Sequence, residues 1–319
     1  MTRAAIERHQ VWFYLVAGAL GLLVGTVTPD AAGVFDTLLW PILGLLLLVT
    51  FLQVPLVSIS AAFTDFRFLT AALLGNFLIL PLLAWVLVQF VPSDAAFRFG
   101  LLLVLLVPCT DWFITFTQLG RGDPARATAI TPLNLVLQLL FSPLYLSIMT
   151  HTDISAIFTP ATFWPALLVV LIPLAVATAS ELWLKKSTAR ERLREQLAWG
   201  PVPLLGFVIF LVAAANAHTM HESLAIVPIV VGAALAFLIM SAVIAKLISL
   251  VFRLPVAQGR TLAFSFGTRN SFVVLPVALA LPAAWEIAAV VVILQSLVEL
   301  LSMSVYIWIV PSALFRDRR

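Results

Sequence analysis

Three ionisable side chains lie deep inside apolar segments of the sequence. They are Asp111, Arg269 and Glu299, and Asp111 follows the only cysteine, Cys109, by two residues. An acid at the centre of a membrane helix costs at least about 3 kcal/mol, so each of these charges needs compensation. With two acids and one base ionised, the group carries a net charge of −1. One bound proton or monovalent cation would neutralise it, which predicts ion-coupled chemistry.

The thiol of Cys109 is a candidate ligand for a substrate. Thiols are soft donors, and a single thiol beside oxygen donors would bind a soft trivalent metalloid weakly enough to release it. The predicted substrate contacts are Cys109, Thr110, Asn270 and Ser271. The alternative is that Cys109 is an inert core side chain, as free cysteines commonly are.

The same three ionisable groups, Glu299, Asp111 and Arg269, are the candidates for proton or cation coupling. Burial and a nearby guanidinium act on the proton affinity of a carboxyl group in opposite directions. A Glu299 placed between these influences could therefore bind and release a proton during a transport cycle. The alternative is a permanent ion pair of Arg269 with Asp111 or Glu299 that holds the two halves of the chain together.

Neutral polar residues within the apolar segments are further candidates for the same cavity. Asn134, Gln138 and Gln295 could bind a substrate, or they could form interhelical hydrogen bonds worth about 0.6 kcal/mol each. His218 and His221 lie in a predicted external loop without acidic or thiol companions, which favours a solvated loop over a metal site. The sequence contains no phosphate-binding loop, dinucleotide-binding fingerprint or zinc-protease motif. We therefore expect neither an enzyme nor a bound cofactor or metal.

The composition indicates a polytopic membrane protein. Of the 319 residues, 62% are hydrophobic and only 10% are charged, whereas soluble domains have about 25% charged residues. Glycine and proline interrupt long apolar runs, which favours helices over the alternating strands of a barrel. The basic residues lie almost wholly in loops and tails, so nucleic acid is not a predicted partner.

Ten transmembrane spans can be drawn along the chain. They cover approximately residues 11–28, 35–57, 68–91, 97–119, 126–149, 162–182, 198–217, 224–251, 258–281 and 285–311. The first is expected to be an uncleaved span rather than a signal peptide. Nearly all lysines and arginines fall in loops on one side, and only Arg98 falls on the other. By the positive-inside rule, both termini are expected to be cytoplasmic. The expected location is the inner (plasma) membrane.

Two five-span repeats of opposite orientation are predicted, because an odd number of spans makes the second repeat enter from the other side. The N-terminal repeat has its spans at about 11–149, and the second repeat covers about 162–311. Residues 1–184 hold the first repeat and the start of the second, and a hydrophilic cytoplasmic linker occupies 185–197. The remaining spans and a short cytoplasmic tail fill 198–319.

A shift of 161 residues relates the two repeats. It sets Gln138 on Glu299 and Cys109 on Asn270, and polar positions inside membranes are rare enough for such matches to carry weight. The fourth and ninth spans are the predicted discontinuous pair, with helix breaks at Pro108, Gly267 and Pro276. An ordinary proline kink is the alternative at any one of these positions.

Several motifs together resemble the arsenite permeases, or arsenic resistance proteins, of the bile acid:sodium symporter superfamily. They are Val107-Pro108-Cys109-Thr110, Gly122-Asp123-Pro124, Arg269-Asn270-Ser271-Phe272 and the neighbourhood of Glu299. The resemblance implies ten helices in two inverted five-helix repeats, with a panel part and a core part that contains crossed discontinuous helices. It also implies that Cys109 and Glu299 are essential for arsenite efflux. Asp111-Trp112 departs from the small or apolar residues usual after this triplet and indicates a divergent branch.

The resulting expectation is a secondary carrier that exports arsenite in exchange for protons. Arsenous acid is uncharged near neutral pH, so coupling to protonation of Glu299 would supply the driving force. The first alternative is a sodium-coupled importer of small organic anions, in which Arg269 attracts a carboxylate. The second is a membrane sensor that transports nothing. The expected partners are therefore a small inorganic or organic solute, protons or sodium, and the lipid bilayer, with the oligomeric state left open.

Overall fold

A computed structural model of the chain describes residues 3–54, 64–150, 160–184, 188–217 and 223–316. Within these ranges the chain forms helices and no β-strand. The helices are α1 (Arg3–Val27), α2 (Ala32–Phe51), α3 (Phe66–Leu74), α4 (Leu80–Leu87), α5 (Ala95–Leu105), α6 (Trp112–Leu119), α7 (Pro124–Met149), α8 (Pro160–Leu184), α9 (Thr188–Leu197), α10 (Pro201–Ala215), α11 (Val227–Val251), α12 (Val256–Gly267), α13 (Ser271–Leu279) and α14 (Ile287–Ile309). Two π-helical segments, Gly75–Ile79 and Val310–Leu314, join α3 to α4 and extend α14. The candidate histidines His218 and His221 lie outside the described residues.

Several helical stretches have the length and composition of membrane spans. Six stretches in the described ranges are long and apolar enough to cross a bilayer: Pro29–Phe51, Phe66–Phe90, Pro124–Met149, Glu195–Ala215, Val227–Val251 and Ala283–Leu314. Helices α1 and α8 have 25 residues each and contain shorter apolar stretches. The pairs α5–α6 and α12–α13 are interrupted helices at the predicted fourth and ninth spans. The predicted all-α polytopic membrane fold is confirmed, whereas the orientation and the division of the chain at the linker stay predictions.

The two interruptions arise where the sequence prevents a continuous helix. Helix α5 ends at Leu105, three residues before Pro108, whose ring removes a backbone donor and clashes with the preceding turn. Helix α12 ends at Gly267, and α13 begins at Ser271. The prediction of a further break at Pro276 is corrected, because α13 continues through this residue. A proline inside a membrane helix is tolerated where neighbouring groups satisfy the freed carbonyl.

Two pairs of helix starts follow the 161-residue register of the sequence. Helix α3 begins at residue 66 and α11 at 227, and α5 begins at 95 and α12 at 256. Both pairs are separated by 161 residues, as Gln138 and Glu299 are. The first and second sets of helices therefore share one order: three helices, one interrupted helix and one long helix. Within the predicted linker, residues 188–197 form helix α9.

Two groups of helices can be distinguished by their packing. Helix α10 packs against α1 and α2, and α2 packs against α8. Gly25 allows α1 and α10 to pack closely, because a Cβ at this position would lie only 2.2 Å from the carbonyl oxygen of Ala214. The interrupted helices pack in the other group, where α12 contacts α11 and α5 contacts α14. These groups correspond to the panel and core parts implied by the resemblance.

Candidate functional site

The two helix interruptions cross each other in the core group. Pro108 and Arg269 form an isolated antiparallel bridge. The backbone N–H of Cys109 donates to the carbonyl oxygen of Thr268 at 3.3 Å, and that of Asn270 donates to Val107 at 2.8 Å. A shift of 161 residues converts either hydrogen bond into the other. The crossing therefore has the approximate twofold relation predicted for inverted repeats.

Side chains add a second connection across the crossing. The Asn270 amide donates from Nδ2 to the Thr110 hydroxyl oxygen at 2.8 Å. Its Oδ1 accepts from the backbone N–H of Val273 at 3.4 Å, which caps the start of α13. Both Asn270 and Thr110 are buried. Two predicted substrate contacts thus bind each other in this conformation.

The side chains of Cys109 and Asp111 contact each other at the first break. Cys109 is buried, and its thiol donates a hydrogen bond to Oδ1 of Asp111 over 3.1 Å. The second carboxylate oxygen, Oδ2, is buried and accepts no hydrogen bond from the described residues. Asp111 stands at the position before α6 without capping it. The thiol therefore has a proton acceptor beside it and a free oxygen next to that acceptor.

Glu299 binds the second break from α14. Its Oε1 and Oε2 accept from the backbone N–H of Arg269 at 3.1 and 3.0 Å. Oε2 also accepts from Nε2 of Gln295 at 2.9 Å, one helical turn away. The carboxylate thus binds the backbone of the second break rather than a charged side chain. The alternative of an Arg269–Glu299 salt bridge is not seen among the described residues, where Glu299 contacts the backbone of Arg269 instead.

The Arg269 guanidinium points to the ends of two half-helices. It donates to the carbonyl oxygens of Ser265 and Phe266 at 3.0 and 2.8 Å, and to that of Leu105 at 3.3 Å. It also approaches Oδ1 of Asn76 at 3.4 Å. A salt bridge with Asp111, the other alternative that the sequence left open, is likewise absent among the described residues.

Sequence reasoning missed two of the groups around Arg269. Asn76 donates to the Ser265 hydroxyl at 2.9 Å, and the Arg269 guanidinium lies 5.1 Å from the centre of the Phe237 ring. Asn76 gave a usable signal, because it is a polar residue inside an apolar span. Phe237 gave none, because an aromatic residue in a membrane helix is ordinary.

Trp112, which with Asp111 differs from the residues usual after this triplet in the resembled permeases, joins the crossing to α1. Its ring stacks on Tyr14 with centroids 6.2 Å apart and meets the ring of Phe272 edge-on at 5.0 Å. Tyr14 is fully buried. Offset and edge-on contacts of this kind contribute about 0.5–1.5 kcal/mol beyond area burial. Trp112 therefore bridges the two helix groups next to the site.

The two amides of α7 are buried but unsatisfied. Asn134 and Gln138 are 0% and 1% exposed, and none of their side-chain nitrogen and oxygen atoms has a hydrogen-bond partner among the described residues. Gln138 has the register position of Glu299, but its counterpart for Arg269 is Pro108, which has no N–H to donate. Buried polar groups are almost always satisfied, so these amides are available for a bound solute, ion or water.

A cleft lies beside the crossing, between the two helix groups. It lies between α10, α13 and α14, and its cavity volume in this conformation is about 20 Å³. Its lining consists of Leu205, Val208, Ile209, Ser271, Phe272, Leu275, Val292, Ile293, Ser296, Leu297 and Leu300. Ser271 is thus the one predicted substrate contact that faces the cleft. Cys109 and Glu299 do not line it in this conformation.

A polar cluster ties together the starts of three core helices. Asp65 caps α3 by accepting from the Phe68 N–H at 3.2 Å, and it accepts from Arg126 at 3.1 Å and Gln258 at 2.7 Å. Burial alone would raise the pKa of Asp65, but these hydrogen bonds and the Arg126 charge outweigh it, so the pKa lies below its usual value. The cluster fixes the near ends of α3, α7 and α12 relative to one another.

Comparison with known proteins identifies the family. Among the described residues, no group of three or more His, Cys, Asp and Glu side chains could hold a metal ion. No curated protein matches the sequence. The pattern of the Sodium Bile acid symporter family matches residues 40–223, which is more than half of the chain and includes the first break with Cys109. The crossing of two interrupted helices and this match lead to one conclusion: the chain belongs to the Sodium Bile acid symporter family, whose members are solute transporters.

Proposed function

We propose that the chain is a secondary carrier that exports arsenite in exchange for protons. The observation that carries the proposal is the convergence of the only thiol and a buried carboxylate on one crossing. The backbone N–H of Cys109 donates to the carbonyl oxygen of Thr268 in the second break. The Glu299 carboxylate accepts from the backbone N–H of the next residue, Arg269. A solute bound at the thiol and a proton bound at the carboxylate would therefore act on the same pair of half-helices.

The thiol and its neighbour suit a reversible bond to trivalent arsenic. The sulfur of Cys109 would replace one hydroxyl of arsenous acid, so that an As–S bond forms and an As–O bond breaks. Oδ1 of Asp111, which already accepts the thiol hydrogen, would take that proton and pass it to the departing hydroxyl, which leaves as water. The reverse exchange releases the metalloid. One thiolate bond keeps binding weak, as turnover requires.

Polar groups near the crossing would complete the site. The two remaining hydroxyls of the bound metalloid are hydrogen-bond donors, and the free Oδ2 of Asp111 is an acceptor beside the thiol. Asn134 and Gln138 supply unsatisfied amides from α7. Opening of the Asn270–Thr110 hydrogen bond would free two more groups.

Protonation of Glu299 would couple proton entry to solute exit. The ionised carboxylate accepts two contacts from the Arg269 N–H. The neutral acid is a weaker acceptor, so proton binding would loosen the hold of α14 on the second break. A proton gradient would then bias the alternation of the carrier between its two open states.

Accumulation of arsenite in everted membrane vesicles tests this proposal, because inward movement there reports export from cells. Wild type should accumulate arsenite when a proton gradient is imposed, whereas Cys109→Ser and Glu299→Gln should lose the gradient-dependent component. Ser312→Ala, whose hydroxyl contacts its own helix outside the crossing, is the matched control and should behave as wild type. Absence of accumulation by folded wild-type protein would refute the arsenite assignment.

Import of a small organic anion with sodium is the second candidate, and the cleft favours it. Nine of its eleven lining residues are apolar, as the lining of a site for an organic solute usually is. A test is sodium-dependent uptake of organic anions by right-side-out vesicles. This function predicts that Cys109→Ser transports normally, because Cys109 does not line the cleft.

A further inference from the structure

We propose that the Arg269 guanidinium is a built-in cation that occupies the place of a coupling ion at the crossing. The proposal rests on the proposed function as a secondary carrier and concerns what drives it. It assigns one positive charge of the site to the protein itself. A coupling cation from solution is then not needed at this position.

The partners of the guanidinium are those that a bound monovalent cation would have. Leu105 is the last residue of α5, and Ser265 and Phe266 lie in the last turn of α12. All three offer backbone carbonyl oxygens to Arg269. Asn76 adds a side-chain oxygen at 3.4 Å. In secondary transporters, such half-helix ends and unwound carbonyls are the groups that coordinate sodium ions.

Electrostatics explains why a cation is required there. The C-terminal end of a helix carries about half a negative charge, located on its unpaired carbonyls. Two such ends, those of α5 and α12, converge on one point deep in the protein. Their repulsion is removed by one positive charge, and the Phe237 ring at 5.1 Å adds a favourable cation–π contact.

Among the described residues, no salt bridge or side-chain hydrogen bond joins the guanidinium directly to an acid. Glu299 uses both oxygens for the backbone N–H of Arg269 and the Gln295 amide, and Asp111 accepts the Cys109 thiol. Arg269 is buried, and most hydrogen bonds of its guanidinium go to backbone carbonyl oxygens. A charge at the end of a fixed side chain cannot dissociate, so it supplies the field of an ion without carrying ion flux.

Thermal unfolding of the purified protein in sodium chloride or choline chloride tests the proposal without any transported solute. We expect the wild-type Tm to be the same in both salts. Arg269→Ala should have a lower Tm in choline, and sodium or methylguanidinium at millimolar concentration should raise it with a saturable dependence. Equal responses of wild type and Arg269→Ala to sodium would overturn the proposal.

A second pair of variants covers the case in which Arg269→Ala does not fold. Arg269→Lys keeps a cation and should fold in choline with little response to sodium, whereas Arg269→Met, similar in size but neutral, should depend on added cation. A Met variant as stable as wild type in choline would contradict the assignment. Because these readouts do not use arsenite, failed arsenite transport with cation rescue intact would refute the substrate and leave the inference standing.

Discussion

The hydrogen bond between Asn270 and Thr110 gives the sharpest test of the crossing. It joins two buried side chains from different breaks at 2.8 Å. Interhelical hydrogen bonds in membrane proteins contribute about 0.6 kcal/mol on average and at most about 1.7 kcal/mol. Because the distance is ideal and water is excluded, we expect a coupling energy between these limits. Asn270→Ala should cost roughly a further 0.5 kcal/mol, the low end for a lost cap, because the cap contact is long at 3.4 Å.

A double-mutant cycle with Asn270→Ala and Thr110→Val measures this coupling. Free energies of unfolding in bicelles for the wild type, both single variants and the double variant give the interaction term directly. Thr131→Val is the matched control, because Thr131 is equally buried and donates to Ala127 within its own helix. Its cycle with Asn270→Ala should be additive. A coupling no larger than that of the control would show that the two breaks do not meet through these side chains.

Three further perturbations test the packing around the site. Stability should fall as the pH drops below about 4 and through the lowered pKa of Asp65, because Asp65 stabilises the fold only when it is ionised. Acid unfolding of Asp65→Asn should depend less on pH. An unchanged profile would show that Asp65 does not contribute to the acid sensitivity. Gly100→Leu should lower stability by about 1–3 kcal/mol, because a Cβ at Gly100 would lie 2.6 Å from the backbone of α14. Gly44→Leu is the control and should leave the Tm nearly unchanged, because a Cβ at Gly44 would have no neighbouring atom within 4 Å. Equal losses of stability in both variants would contradict the close contact between α5 and α14. Trp112→Ala should cost about 1–3 kcal/mol, because the ring is only partly buried but contacts Tyr14 and Phe272. Trp308→Ala, at a residue 74% exposed, should change the free energy of unfolding by less than about 0.5 kcal/mol.

The sequence predicted the fold well because helix breakers and polar residues stand out in apolar segments. Pro108 and Gly267 lie at the two interruptions, as expected from a missing donor and a flexible backbone. The register of Gln138 on Glu299 agrees with the helix starts. Pro276 misled, because a proline marks a possible break but neighbouring groups decide whether the helix continues.

Side-chain partners were less predictable because they depend on three-dimensional packing. The sequence placed Arg269 near two acids and suggested an ion pair, but its guanidinium contacts carbonyl oxygens. Helix-end carbonyls have no sequence signature, so this choice could not be read from the chain. The Trp112–Tyr14 stack likewise joins residues about a hundred positions apart. Helix α9 was missed because its hydrophilic residues indicated a linker, although most of them are good helix formers.

Labelling of the single thiol tests the central claim most directly, because any maleimide attached to this chain reports on Cys109 alone. Wild-type protein in membranes is treated with a maleimide at increasing arsenite concentrations, and arsenate, a pentavalent oxyanion of the same element, serves as the control. Binding of the metalloid at the crossing predicts that arsenite slows labelling with a saturable dependence and that arsenate does not. An unchanged labelling rate at arsenite concentrations that the vesicles accumulate would contradict the account, because the transported metalloid would then bypass the thiol.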